Sequence, residues 1–134
     1  MASWVIPCNP KFYDAFGAFR NLETVDWRQV ATSIEAGDTI YVYIGHPIQA
    51  ITHKCLVLDA NIPYEEIDHS DDHFTLADED RDPNWRYMRL KLEKEYAPNV
   101  LSYSRLIEFG LRGSIQSQQH VNTFIQAAID SIDS

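Results

Sequence analysis

Cysteine is scarce in this 134-residue chain: Cys8 and Cys55 are the two, with no CxxC pair. That excludes a disulfide framework, and both read as reduced, small core residues. Long apolar runs are missing as well. No window approaches the roughly 18 apolar residues that span a bilayer. The opening MASWVIPCNPKF has no basic start and no long apolar stretch, so the expectation is a soluble, cytoplasmic protein without a membrane partner. Basic charge is short: 11 Lys and Arg stand against 20 Asp and Glu, a net charge of −9. A broad electrostatic grip on duplex DNA is thereby excluded, whereas a local basic patch or recognition of a single base is not. No glycine-rich phosphate loop is present, because neither Gly37/Gly45 nor Gly110/Gly113 matches such a pattern. Repeats and linkers are absent too. What is present, 45% hydrophobic residues, suits one compact domain over residues 1–134.

The clearest element is GDTIYVYIGHP, residues 37–47. Side chains alternate along a strand, so Ile40, Val42 and Ile44 share one face and Thr39, Tyr41 and Tyr43 the other. Trp4-Val5-Ile6 reads as a strand ended by Pro7. Asn9-Pro10 reads as a helix start over about residues 10–20, with Phe12, Phe16 and Phe19 on one face. A short strand follows at 24–27, a helical turn at 30–35 and a strand over 50–60. Residues 61–84 carry Pro63, Asp68, Asp71, Asp72, Asp78, Glu79, Asp80, Asp82 and Pro83, and predict an irregular acidic segment. Residues 84–93 alternate with one slip near Met88, which suggests a bulge. Ser102 caps a predicted helix through Phe109 with Gly110 past its end. Ser117 is the predicted cap of a last helix whose stripe is Val121, Phe124, Ile125, Ala128 and Ile129. Strands that follow one another without helical crossovers predict an α+β fold. Its mixed or antiparallel sheet would curl into a barrel of about five or six strands flanked by helices.

Chemistry-bearing clusters are few. His69-Ser70-Asp71-Asp72-His73 groups ligand-type residues, but a metal centre needs convergence and a supporting shell, and a solvated acidic loop is the simpler account. His46, His53 and His120 stand in no spacing relation to a Ser or Cys nucleophile. The expectation is therefore no catalytic residue, no metal and no cofactor. Aromatics say more. Trp4, Trp27, Tyr41, Tyr43, Trp85 and Tyr87 lie in or beside predicted strands, and a small barrel has no room for six large rings. Rings gathered at one end can sandwich a flat group such as a splayed-out base. On this reading one tyrosine of the 39–44 strand packs a helix and the other walls a pocket. GLRGSIQ, residues 110–116, supplies Arg112, a planar donor for phosphate or a base edge, and Gln116, both donor and acceptor. The alternative is an ordinary connection with an exposed arginine.

The succession WVIPCNPKFY, VDW, EAGDTIYVYIGHPIQAI, DPNWRYMRLKL and EFGLRGSIQSQQHV resembles the EVE domain family of the PUA-like superfamily, which is similar to YTH domains. The resemblance runs from Trp4 to the last helix, and the ordered set carries it rather than any one motif. It implies a small, strongly curved barrel and a nucleic-acid-binding module; some relatives read modified bases, and YTH domains seat a methylated base among aromatic rings. Carried over, the resemblance places Trp4, Asn9 and Pro10 at the mouth of a pocket. Trp27, Tyr43 and Gly45 would form its walls, and Arg112 to Gln116 a nearby loop. This chain has Asn-Pro where some relatives carry Ser-Glu-Pro, and Gly-His-Pro after the strand.

The expected function is a non-enzymatic module that binds DNA or RNA by stacking one base and reading its edge with Asn9, Gln116 and backbone groups. A methyl on the base would fill an apolar corner. That is worth only about 1 kcal/mol, so discrimination also needs a displaced water or an edge contact. The alternatives are a protein-interaction or small-ligand module, and an enzyme with His69, Asp72 and His73 on a metal. A basic rim drawn from Lys11, Arg20, Arg28, Arg112, Lys54, Arg86, Arg89 and Lys91 would favour nucleic acid. A stand-alone domain of this kind would act with a partner protein.

Overall fold

In a computed structural model, described over residues 1–76 and 82–134, the alternating stretch at 39–44 forms the middle of the protein. Strand β3 (Thr39–Ile44) sends Ile40, Val42 and Ile44 into one hydrophobic core and Tyr41 and Tyr43 into a second on the opposite face. Both faces are covered, so the strand carries large side chains on each. The first core joins Ile6, Val57 and Leu90 to Ala15, Ala18 and Phe19 of helix α1 (Ala15–Asn21). The second packs the tyrosines under Leu106 of α2 (Tyr103–Phe109) and Ile125 and Ile129 of α3 (Thr123–Asp133).

The remaining strands are β1 (Ser3–Cys8), β2 (Thr24–Gln29), β4 (Ala50–Pro63), β5 (Arg86–Glu95) and the two-residue β6 (Gln119–His120). Their order in the sheet is β2-β5-β4-β3-β1-β6. β1 runs parallel to β3, and the other pairings are antiparallel. Short 3₁₀ turns at Tyr64–Glu66 and Asp72–Phe74 interrupt the acidic segment. Asp78, Glu79 and Asp80 lie outside the described residues, as does the His73 side chain.

The sheet is mixed and six-stranded, as expected, but it does not close into a barrel. Its edges are β2 and β6. They come within reach of one side chain, and that side chain bridges them in place of a backbone ladder. Gln118 Oε1 accepts the Val30 and Ala31 N–H groups at 2.7 and 3.0 Å, and its Nε2 donates to the Arg28 carbonyl at 2.8 Å. Backbone groups left unpaired at an edge need such partners.

Three local expectations are corrected. The first helix does not start at Asn9-Pro10. Asp14 caps it, accepting Gly17 N–H at 3.0 Å, while Asn9 Oδ1 takes Lys11 N–H in a separate turn. Phe12 is therefore left exposed. The last helix is capped by Asn122, not Ser117, through Ile125 N–H at 2.9 Å, and Phe124 stands outside its apolar stripe, 73% exposed. Residues 30–35 make turns rather than a helix. The slip near Met88 is real but belongs to β4. β5 keeps an unbroken register with β2, from Thr24↔Lys91 to Gln29↔Arg86, while β4 shifts against it between Val57 and Asp59 and between Asp59 and Ile62.

Candidate nucleic-acid interface

β6 pairs with β1 only at Trp4 and Val5. Beyond them the outer edge of β1 has no strand beside it, and Pro7, which has no N–H to leave unpaired, occupies that edge. Three hollows meet at Pro7. The first, about 250 Å³, is walled by Phe12, Tyr13, Trp27 and Trp85, with Asn9 and Asp71 also lining it. The second, about 260 Å³, lies towards Lys11, Tyr43, Gly45 and His46 and shares Asn9. The third, about 280 Å³, runs over Trp27 and Arg28 to Gln116 and Gln118, along the seam that Gln118 bridges.

Aromatic packing shapes the first hollow. Tyr13 meets Trp27 edge-on, with ring centroids 5.3 Å apart, and Phe19 backs Trp27 in a stack at 6.1 Å. The Arg28 guanidinium lies 3.8 Å over the Trp85 ring, a contact of cation and π-face. Two buried carboxylates belong to the same hollow. Asp26 is fully engaged, by Arg89 Nε and Nη2 at 2.9 and 3.0 Å and by Asp68 N–H at 2.7 Å. Asp71 accepts the Tyr13 hydroxyl at 2.7 Å. Cys8 also lines it, but burial, aided by the charge of Asp14, pushes its thiol up to about 12 and keeps it protonated.

Of the eight predicted site residues, Asn9, Trp27, Tyr43, Gly45 and Gln116 line these three hollows. Pro10 follows Asn9 in the chain, half-buried. The other two lie elsewhere. Trp4 is core: it is 5% exposed, its indole N–H donates to Asp38 at 3.0 Å, and its ring stacks on His120 at 3.8 Å. Strand alternation puts it with Ile6 and Cys8 on the inner face. Arg112 lines a different hollow of about 410 Å³ between α2, α3 and the 110–122 segment. Sequence reasoning missed Tyr13, hidden inside the predicted helix, and Asp71, read as part of a solvated loop. Its partner lies 58 residues away in the chain, and no local signal marks such a pair.

The eight predicted rim cations do not converge. Lys11 and Arg28 line the site. Arg20 pairs with Glu95, Arg89 with Asp26, and Lys54 with Asp133. Among the described side chains of the His69 cluster, His69 and Asp72 form an exposed pair at 3.3 Å, while Asp71 accepts the Tyr13 hydroxyl. Among the described residues no three His, Cys, Asp or Glu side chains come together as a metal group, and no helix is long and apolar enough to cross a membrane.

An open six-stranded mixed sheet with helices on both faces has counterparts among solved structures. ASCH from Zymomonas mobilis superposes with a TM-score of 0.66 at 12% identity, covering 98% of this chain and 95% of that one. A Pseudomonas putida protein gives 0.64 at 19% identity over 99% and 100% of the two chains, and a hypothetical protein from Leishmania major 0.64 at 15% over 99% and 94%. The chain thus shares its fold with ASCH from Zymomonas mobilis; the EVE family that the sequence resembles is not shown by these likenesses. No protein-family model matches the sequence, and no curated protein does.

Proposed function

We propose that this protein is a non-enzymatic nucleic-acid-binding module that takes one base, from a single strand of RNA or DNA, into the hollow walled by Tyr13, Trp27 and Trp85. The observation that carries this is the meeting of three hollows at Pro7, on the unclosed seam, with rings on one side and Asn9 and Gln116 within the same cleft. Stacking suits a base because every base has a π-face, and it contributes about 1–3 kcal/mol per base. Phe12 and Pro7 supply the apolar surface on which a methyl of a modified base would rest. Lys11 and Arg28 suffice for the phosphates of one nucleotide and not for a duplex tract.

The test is tryptophan fluorescence at low salt against nucleosides, methylated nucleosides and short single strands. Saturable quenching that weakens in folded Trp27→Ala protein supports the reading. No response from any member of the panel refutes it. The sparse rim and the buried acids favour one second reading, a small-ligand module. Quenching by free nucleosides with none by strands would select it.

A further inference from the structure

We propose that the hollow between α2, α3 and residues 110–122 is a second binding site, for a small carboxylate with an aliphatic body. It does not depend on the base-binding reading above. The hollow measures about 410 Å³, within the roughly 300–1,000 Å³ of small-molecule sites. Its floor is part of the second core: Ile51, Leu106, Leu111, Ile115 and Ile125 line it, and all are buried. The end of α2 shapes it. Gly110 takes the left-handed conformation, φ 116°, and the Leu111 N–H returns to the Leu106 carbonyl at 2.8 Å. A side chain at 110 would bring a Cβ within 3.3 Å of the Phe124 Cβ, so glycine here also lets α3 start close beside α2. Leu111 is thereby turned into the floor, and Arg112, next in the chain, is left exposed at the mouth.

Charge decides the sign of the ligand. Among the described residues no Asp or Glu lines the hollow, in a chain that carries 20 of them. The Arg112 guanidinium lines it and has no ion pair or hydrogen bond among the described residues; it offers N–H donors and no acceptor. The other groups at the mouth are engaged. His120 stacks on Trp4 at 3.8 Å. The Asn122 oxygen is held by the Ile125 N–H at 2.9 Å, and its amide by the Gly110 carbonyl at 3.4 Å. A free guanidinium matches the single charge of a carboxylate, which it takes with two parallel N–H bonds. The floor sets the body of the ligand. Its branched aliphatic side chains supply no ring face to stack on, unlike Tyr13, Trp27 and Trp85 in the first hollow. An aliphatic chain fills such a floor, and each methylene taken out of water adds to the affinity. Phe124 lines the mouth at 73% exposure, so a chain rising from the floor to Arg112 covers that ring too.

The test is amide NMR on the isotope-labelled protein with octanoate, hexanoate, octanol and octylamine as probes. Octanoate is expected to give saturable shifts at Gly110, Leu111 and the 121–125 amides. Hexanoate, two methylenes shorter, should bind about tenfold weaker. Octanol, which keeps the chain and loses the charge, should be about fivefold weaker, and octylamine weaker than octanol. In Arg112→Gln, octanoate should fall to the level of octanol, while octanol binding is kept and an unchanged melting temperature shows the fold intact. Octanol or octylamine matching octanoate in the natural chain overturns the proposal. So do octanoate binding that Arg112→Gln leaves unchanged, shifts that map elsewhere, and silence from every probe. None of these results bears on base binding, which Trp27 reports from a different hollow.

Discussion

Acid should loosen this protein between pH 6.5 and 4, and one side chain should account for it. His53, on β4, is fully buried; its Nδ1 lies 2.7 Å from Thr52 Oγ1, and the Phe16 and Phe19 rings pack 4.9 Å from it. Nε2 is buried without a hydrogen-bond partner, with Glu95 Oε1 at 3.7 Å. Glu95 is itself occupied by Arg20 at 2.8 and 3.1 Å. Burial among apolar rings disfavours the imidazolium and pulls the pKa from 6.5 to about 4; Glu95 opposes this and Arg20 adds to it. Between those two values the unfolded chain binds a proton that the native protein refuses, so stability falls as pH falls through the window. From 6.5 to about 4, at about 1.4 kcal/mol per pH unit, the loss reaches about 3 kcal/mol. Against a typical domain stability of about 5–15 kcal/mol, that is a large share.

The assay is urea unfolding at steps from pH 7 to 4 for the natural chain and for His53→Leu, which keeps an apolar side chain of similar bulk and cannot titrate. The stability difference between the two proteins should shift by about 3 kcal/mol across the window. The depressed carboxylates Asp38, Glu95 and Asp133 act in the other sense of shift. Their contribution is present above the ordinary values, 3.8 for Asp38 and Asp133 and 4.5 for Glu95, and is lost as pH falls through and below them, so only Glu95 overlaps the acid end of the His53 window. Parallel curves for the two proteins, or a His53 ring resonance titrating near 6.5, would refute the reasoning. The effect should reach the proposed site, because the Phe19 ring that packs on His53 also backs Trp27 at 6.1 Å.

Trp27→Ala should weaken nucleoside binding by about 5- to 150-fold, the equivalent of one stacking contact, with calorimetry as the check and circular dichroism confirming the fold. The salt slope of single-strand binding should be shallow. With Lys11 and Arg28 as the lining cations among the described residues, log K against log salt should fall with a slope of about −1.4, and a slope of −4 would mean that a different surface binds the strand. Gln118→Ala removes three hydrogen bonds across the seam. It should cost about 2–3 kcal/mol and raise hydrogen exchange at the Val30 and Ala31 amides while the amides of β3 stay protected.

What the sequence made legible follows the range of the interactions involved. The 39–44 strand and its two faces are written in strict alternation, and Tyr41 and Tyr43 fall under the helices as that alternation requires. The α2 helix reads correctly because Ser102 and Gly110 bracket it locally. Asn9-Pro10 is a credible helix start by local pattern, and distant backbone decides against it. Asp14 N–H donates to the Phe74 carbonyl at 2.8 Å and Leu76 N–H to the Phe12 carbonyl at 2.9 Å, which ties residues 12–14 to the acidic segment and keeps them out of a helix. The same pairing carries Asp71 to Tyr13. The pocket role of Trp4 came from the family resemblance alone, and nothing local shows that its face is covered; its buried partner, Asp38, lies 34 residues on. The strand count was readable and the closure was not, since closure turns on whether β6 can extend past two residues.

The failure of the sheet to close is what makes a site possible. Were β6 long enough to run beside β1 as far as Pro7, and then against β2, the ladder would cover the edge where the three hollows meet, and Trp27 and Arg28 would face a strand rather than a cleft. Gln118 satisfies the backbone groups of residues 28–31 with one side chain, so the edge stays chemically complete while the cleft remains open. Among the described residues a cleft so placed has two lining cations, Lys11 and Arg28, and the chain a net charge of −9. Electrostatic attraction therefore supplies little of any binding energy here. The remainder has to come from ring stacking and from edge contacts made out of water, which are the interactions that tell one base from another.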